Sequence, residues 1–463
     1  MSPFTSNRPL YESLENPSKT DALLLKGGRV IDPAIGRDGV FDVLVQDGRI
    51  AAIETSGHIH PERAAHVLEL RDHWVMPGFI DMHVHLREPG LEYKETIETG
   101  TRAAAAGGFS AVACMANTQP VNDSAMVTAL IREKARRHAS SRVHIIGAVT
   151  KGLKGLELAE IGSMAAEGAR ALSDDGMPIM NSLIMRRAME YARGFGLTII
   201  SHAEDANLVN GGVMNEGALS LELGLAGNPA AAEEIMVARE IALCRLTKCP
   251  VHIAHLSTEV ALEHVRRAKE AGLPVTAEAS PHHLTLTEEA VRGLDPNFKM
   301  APPLRTERDV EALRRALAEG VIDIIATDHA PHGHVDKECE FAAAANGILG
   351  LQTALPLTFE LVTKGFIPLS QWIQSWTLHP AKLLGLEAGT LRIGTPADIT
   401  VIDPFKKWRL EQQDILSNST NSPFLGWNFQ GQARATLTGG VLTHWDEPLG
   451  TSRHRTPTRG SRR

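Results

Sequence analysis

WVMPGFIDMHVH (74–85) is the stretch on which the fold turns. A short apolar run ends abruptly in an acid and two imidazoles, Asp81-Met82-His83-Val84-His85. Seven further runs follow: FSAVACMAN (109–117), VHIIGAV (143–149), ARALSDD (169–175), LTIISHAE (197–204), PVHIAHLS (250–257), PVTAEAS (274–280) and IDIIATDHA (322–330). Between them lie amphipathic stretches such as AMVTALIREKARRH, NSLIMRRAMEYARGF, AAEEIMVAREIALCRL and TEVALEHVRRAKEAG, which predict helices. Eight strands alternating with helices is the number that closes a parallel (β/α)8 TIM barrel, an α/β fold. A doubly wound open sheet would call for a glycine fingerprint after the first strand, and HVHLREPG is not one.

Outside this middle the pattern changes. LLLKGGRVID, DVLVQDGRIAAIE and HVLEL near the start, and GTLRIGTPADITVIDP and ARATLTGGVLTHW near the end, are short strands punctuated by Gly and Asp. No helical stretch separates them, so both ends of the chain are expected to build one small β-rich domain. The expected organisation is an extension at 1–21, a composite β-rich domain at 22–72 and 386–445, the barrel at 73–385, and a disordered Arg-rich tail at 446–463.

Composition narrows the function. The chain has 463 residues, 43% hydrophobic and 22% charged, ordinary values for a globular enzyme. A net charge of −8 argues against nucleic acid as a partner, since a phosphate-binding surface needs a basic excess. Cys114, Cys244, Cys249 and Cys339 show no CxxC spacing and read as free thiols. Neither a signal peptide nor a long apolar span is visible, so the expectation is a cytoplasmic protein with no membrane partner.

The polar residues fall where a barrel keeps its chemistry, at the C-terminal ends of the strands. Strand one offers His83 and His85, strand four Asp174 and Asp175, strand five His202 and Glu204, strand six His252 and His255, and strand eight Asp328 and His329. Period-two alternation lets His83 and His85 reach one ion together. Imidazole with carboxylate suits zinc, with positions left open for water.

DMHVHLREPG (81–90) and ATDHAPHGHVDK (326–337) resemble the two signatures of bacterial class I dihydroorotases in the amidohydrolase superfamily. MANTQPVND (115–123), SDDG (173–176), SHAED (201–205) and HIAHLS (252–257) are similar to the segments between, and the likeness runs from about residue 23 to residue 445. It implies one or two zinc ions per subunit, two by the count of ligands: His83 and His85 with Asp328 on one, His202 and His255 on the other, and Asp175 bridging. Asp175 matches the family's ligand in spacing, whereas Asp174 reads as a turn-capping residue. His252 reads as a buried, hydrogen-bonded residue. The implied reaction is the reversible closure of N-carbamoyl-L-aspartate to dihydroorotate, a step of pyrimidine biosynthesis. Metal acidifies water and polarises the amide carbonyl, and Asp328 carries the proton.

The resemblance also implies residues that hold the substrate carboxylate: Arg87, Asn117 and His332, with Asn346 and Gly347 on a later loop. Arg87 lies two after His85, on the same face if extension continues; the competing reading pairs it with Glu88 or Glu92 on the rim. Two departures concern this pocket: Ala301 stands where many members have Asn, and Asn346-Gly347 replaces Phe-Gly. GHVDKECEFAAAANG (333–347) reads as a loop that moves over the substrate. A small-molecule substrate and a homodimer are the expected partners, and association with aspartate transcarbamoylase is compatible with the sequence. The rivals are a hydantoinase, dihydropyrimidinase or allantoinase, and a non-catalytic scaffold. Many of the former carry a carboxylated lysine at the end of strand four, and this strand has none. Scaffold members lose metal ligands, and this chain keeps all six.

Overall fold

The computed structural model of the chain describes residues 21–446. The extension expected at 1–21 and the tail expected at 446–463 lie, but for one residue each, outside the described residues. The chain opens with β1 (Leu23–Asp32), β2 (Arg37–Gln46), β3 (Arg49–Thr55), β4 (His66–Glu69) and β5 (Trp74–Pro77). β2 and β3 meet at Asp47-Gly48, with φ of 51° and 73°. Two successive left-handed residues make the two-residue turn whose twist matches a hairpin.

The barrel follows. Its strands are β6 (Phe79–Val84), β7 (Phe109–Cys114), β8 (Arg142–Gly147), β9 (Ala169–Leu172), β10 (Thr198–Ser201), β11 (Val251–Ile253), β12 (Val275–Ala279) and β13 (Ile324–Ile325). Each pairs in parallel with the next in sequence order. A parallel bridge from Val84 to His329 brings the two ends of the row together, with the His85 N–H donating to the His329 carbonyl at 2.9 Å. Each of the eight expected runs therefore contributes one barrel strand. The expected helices lie between them, and Asn181 and Thr258 cap two of them by accepting backbone N–H groups.

Small apolar side chains fill the barrel: Ile80, Met82, Ala113, Ile146, Ala171 and Ile200 share one buried cluster with Ala381 and Leu384. A second layer lies between strands and helices. There Phe79 meets Trp372 and Trp376 at centroid separations of 5.4 and 6.1 Å.

The C-terminal strands β14 (Ile399–Arg409), β15 (Asn428–Thr438) and β16 (Val441–Trp445) join β1–β5 in one eight-stranded sheet. This corrects the reading of 74–85 as a single strand. Trp74–Pro77 pairs with β1 and β14, so the sheet of the chain ends runs to Pro77 and the barrel begins at Phe79 rather than at residue 73. Gly78 is the joint. Its N–H donates to the Asp398 carbonyl at 2.8 Å, and a Cβ there would sit 2.2 Å from Ser110 Oγ.

Gly78→Val should therefore overpack this joint and cost about 1–3 kcal/mol. Thermal denaturation is expected to show a lowered midpoint; an unchanged midpoint would mean that the joint has slack.

Candidate active site and metal centre

The placement of His83 and His85 depends on a bulge. Ile80 and Met82 point into the barrel, whereas Phe79, Val84 and Leu86 join the layer beneath the helices. The parity changes because Asp81 to Val84 of β6 runs alongside Val112 to Cys114 of β7, one residue longer. The extra residue turns His83 and His85 into the barrel mouth; unbroken alternation from Ile80 would have turned them out. Asp81 fastens the bulge. It accepts the His83 N–H at 3.2 Å, the Thr327 N–H at 3.1 Å and the Thr327 hydroxyl at 2.5 Å, tying the bulge to the loop that carries Asp328.

His83, His85, Asp175, His202, His255 and Asp328 converge there, all buried. His83 Nε2 lies 3.3 Å from Asp175 Oδ1 and 3.4 Å from Asp328 Oδ1. His85 Nε2 is 3.0 Å from Asp328 Oδ1 and 3.4 Å from Asp175 Oδ2. On the far side, His202 Nδ1 and His255 Nε2 stand 3.6 and 3.5 Å from Asp175 Oδ1. Asp175 is thus shared by both halves. Asp174 turns away, accepting the Val149 and Thr150 N–H groups at 2.7 and 3.0 Å, so the structure separates the two neighbouring acids.

The residues fit a cation. His83 Nε2 and Asp175 Oδ1 are buried without a hydrogen-bond partner, although they face one another. Three sets, His83–His85–Asp175, His83–His255–Asp328 and Asp175–His202–His255, each offer ligand atoms within 4.8 Å of one another. The outer nitrogens of three rings are anchored: His83 Nδ1 to Glu278 at 2.6 Å, His85 Nδ1 to the Asn117 amide oxygen at 2.8 Å and His202 Nε2 to Glu204 at 2.9 Å. Acceptors at those positions take the ring N–H and leave the inner nitrogens for an ion.

Charge balance shows the same pull. Burial alone would push the Asp175 carboxyl up, but His83, His202 and His255 hold it well below the usual range. Burial opposes the charge on His202, yet the nearby Asp175 carboxylate and the hydrogen bond to Glu204 push it up to about 10. Burial likewise opposes the charge on His83, and Asp175, Glu278 and Asp328 outweigh it, raising the ring well above its ordinary value. A divalent cation at this place would replace those protons.

Arg87 sits at the rim, 8% exposed, with φ of 60°. The strand does not continue to it, so it reaches the mouth through a turn. Its Nε–H donates to the Pro331 carbonyl at 3.2 Å, and its Nη2 lies 3.4 Å from His332 Nε2. The rim acids are engaged elsewhere: Glu88 binds Lys134, and Glu92 accepts the Gly90 N–H. His332 is half-buried beside Arg87, Lys94 and Lys337; its removal from water, and then these cations, lower its pKa to about 2 and leave it a neutral ring. Asn346 offers His332 its carbonyl at 2.8 Å. A Cβ at Gly347 would lie 2.5 Å from the Ala330 carbonyl oxygen, so only glycine lets this loop lie against the rim. The 333–347 loop is tethered by Lys299, whose Nζ donates to the Ala342 and Ala344 carbonyls at 2.7 Å each.

Sequence reasoning did not find several supporting residues. Lys94 brings a second cation within 3.3 Å of His332 Nδ1. Asn421 clamps the rim, donating to the Ala330 and Gly347 carbonyls at 3.0 Å each. Arg305, 1% exposed, donates to Ser257, Asn215 and the Asn228 carbonyl, below the loop that follows His255. His282 leaves a buried Nε2 without a partner at the end of β12. No motif spacing marks these residues; only the signature segments around them hinted at a pocket.

Comparison with known proteins agrees with this geometry. The sequence model of the Amidohydrolase family matches residues 74–443. A dihydroorotase of Geobacter sp. (strain M21) is 52% identical over 422 residues, 91% of this chain and 99% of that protein. One of Anaeromyxobacter dehalogenans (strain 2CP-C) is 50% identical over 427 residues, covering 92% and 98%. Among solved structures, L-hydantoinase (dihydropyrimidinase) from Arthrobacter aurescens superposes with a TM-score of 0.81 at 25% identity, over 91% of this chain and 95% of that one. The family is metal-dependent, as the converging imidazoles and carboxylates require, and among the described residues no helix is long and apolar enough to cross a membrane. Eight parallel strands presenting six ligand-type side chains at one mouth, together with these matches, place the chain in the amidohydrolase family, among its dihydroorotases.

Proposed function

We propose that this chain interconverts N-carbamoyl-L-aspartate and dihydroorotate at a site holding two zinc ions. The metal cluster by itself speaks for a cyclic amidohydrolase. The observation that carries the narrower reading is Arg87: a buried guanidinium at the mouth of the cluster, hydrogen-bonded to a carbonyl and set beside a neutral ring rather than paired with a carboxylate. A substrate with a free carboxylate supplies the missing anion, and the relatives named dihydroorotase support it. Hydantoin and dihydrouracil lack that group, and β9 ends in Leu172-Ser173-Asp174-Asp175 with no lysine.

His83, His85 and Asp328 would hold one ion, His202 and His255 the other, and Asp175 both. Such ions, when bound, supply Lewis acidity toward water and toward the amide carbonyl. The chain's own residues do the rest. Arg87 and the Asn117 amide group grip the substrate carboxylate, with Lys94 adding charge behind His332. This orients the ring so that its amide faces Asp175 and Asp328. Burial would raise the Asp328 carboxyl, but His83 and His85 hold it well below the usual range, so it is ionised, the form that a proton acceptor must have. In hydrolysis Asp328 takes the proton of the attacking water as the C–O bond forms. It returns that proton to the ring nitrogen as the C–N bond breaks. Cyclisation runs the same transfers backwards. Ala301 offers no side-chain hydrogen bond here, so recognition falls to the groups around Arg87.

Three measurements test this. Asp328→Ala should lower kcat by about 10²–10⁴-fold while the circular dichroism spectrum is retained; near wild-type turnover would remove the proton-transfer role. Arg87→Met should weaken substrate binding by about 2–5 kcal/mol, seen mainly in KM, and an unchanged KM would place the carboxylate elsewhere. Since His83 and His202 are pushed up, a zinc ion must displace protons that these rings hold throughout the neutral range. Zinc binding should therefore release protons and weaken on acidification from about pH 8 to about pH 6. Calorimetry in buffers of different ionisation enthalpy reads the proton release, and none would contradict the ligand assignment.

A further inference from the structure

We propose that Glu278 is a positioning residue that couples the two halves of the metal centre, so that both ions are gained and lost together. The inference rests on the two-ion reading above. Glu278 lies on β12, 1% exposed, behind the cluster. Its Oε1 accepts the His83 Nδ1–H at 2.6 Å and also the His255 backbone N–H at 3.3 Å. Its Oε2 accepts the His252 Nε2–H at 3.1 Å, and His252 is itself held by Thr276 Oγ1 at 2.8 Å. The backbone carbonyl of Glu278 accepts the Leu256 N–H at 2.9 Å.

One carboxylate oxygen therefore serves a ligand of each ion. For His83 it fixes the tautomer and the ring plane, leaving Nε2 to face Asp175 and Asp328. For His255 it acts on the backbone. His255 has φ of 31°, a conformation disfavoured for any residue with a side chain, and such a backbone persists only where its surroundings hold it. Glu278 does so on both sides of the His255 Cα, taking the 254–255 N–H by its side chain and the 255–256 N–H by its carbonyl. His252 and Thr276 brace the carboxylate from behind, so it cannot swing to favour one partner.

The other anchors act on one ligand each. Glu204 binds the His202 ring and Asn228, and Asn117 binds the His85 ring. Loss of Glu204 should loosen one ion. Loss of Glu278 should turn the His83 ring and release the His255 backbone in the same step.

The test is zinc retained per chain under chelator competition, for wild type, Glu278→Gln and Glu204→Gln, each checked for folding by circular dichroism. A glutamine keeps the shape but presents an N–H2 where an acceptor is needed. Wild type should hold two ions. Glu204→Gln should give up one early and keep the other. Glu278→Gln should lose both together, with affinity lowered about 10- to 100-fold for each. Either ion held by Glu278→Gln with wild-type affinity would overturn the coupling. If that variant does not fold, Glu278→Asp, which draws the same charge back by one methylene, is read by the same criterion. A wild type that binds fewer than two ions would overturn the two-ion reading and the coupling with it, whatever the variants do.

Discussion

Two carboxylates taken out of water, Asp175 and Asp328, are the constraint around which the barrel mouth is arranged. A buried charge is costly unless it is paired and hydrogen-bonded. Here the compensation comes from four imidazoles carried by three strand ends, with separations of 3.0–3.6 Å to the two acids. None of these groups could stay charged alone in an apolar barrel. Their mutual dependence makes the site a single electrostatic unit, and it makes a divalent cation the natural occupant of the space between unpartnered ligand atoms.

Keeping those groups in place requires backbone that an ordinary strand would not adopt. Arg87, His255 and Asp328 have φ of 60°, 31° and 47°. Beside two of them lies a buried acid that gathers N–H groups: Glu278 beneath His255, and Asp81 beneath the Thr327 that precedes Asp328. Glu278 and Asp81 thus hold the backbone on which the ligand-type side chains stand. The bulge in β6 belongs to the same device, because Asp81 sits on it and fixes the phase of the two histidines that follow.

The rim has the opposite sign. Arg87 and Lys94 gather around a ring kept neutral by its removal from water and by their charge, next to a loop tethered by Lys299 and Asn421. An anionic substrate would be drawn toward this side and presented to the acids on the other. On the proposed reading, binding and chemistry would be divided between two walls of one mouth, as loop-built barrel sites allow.

Much of this was legible in the residues alone. Eight apolar runs announce a barrel because strand period and hydrophobicity are local properties. His83, His85, His202, His255 and Asp328 announce chemistry because imidazoles and acids at strand ends have few other reasons to be there. Likeness to the family favoured Asp175 over Asp174 by spacing, but only folding shows that Asp174 meets Thr150 and that Asp175 meets four histidines. The membership of Trp74–Pro77 in the outer sheet, the bulge that turns His83 inward, and the service of Glu278, Lys94, Asn421 and Arg305 were decided by tertiary structure. Each depends on which segments, often tens or hundreds of residues apart, come to lie side by side and in what register. A pattern along one strand carries no record of its neighbour's register, and so residue types were determined by the sequence while their partners were determined by the closing of the barrel.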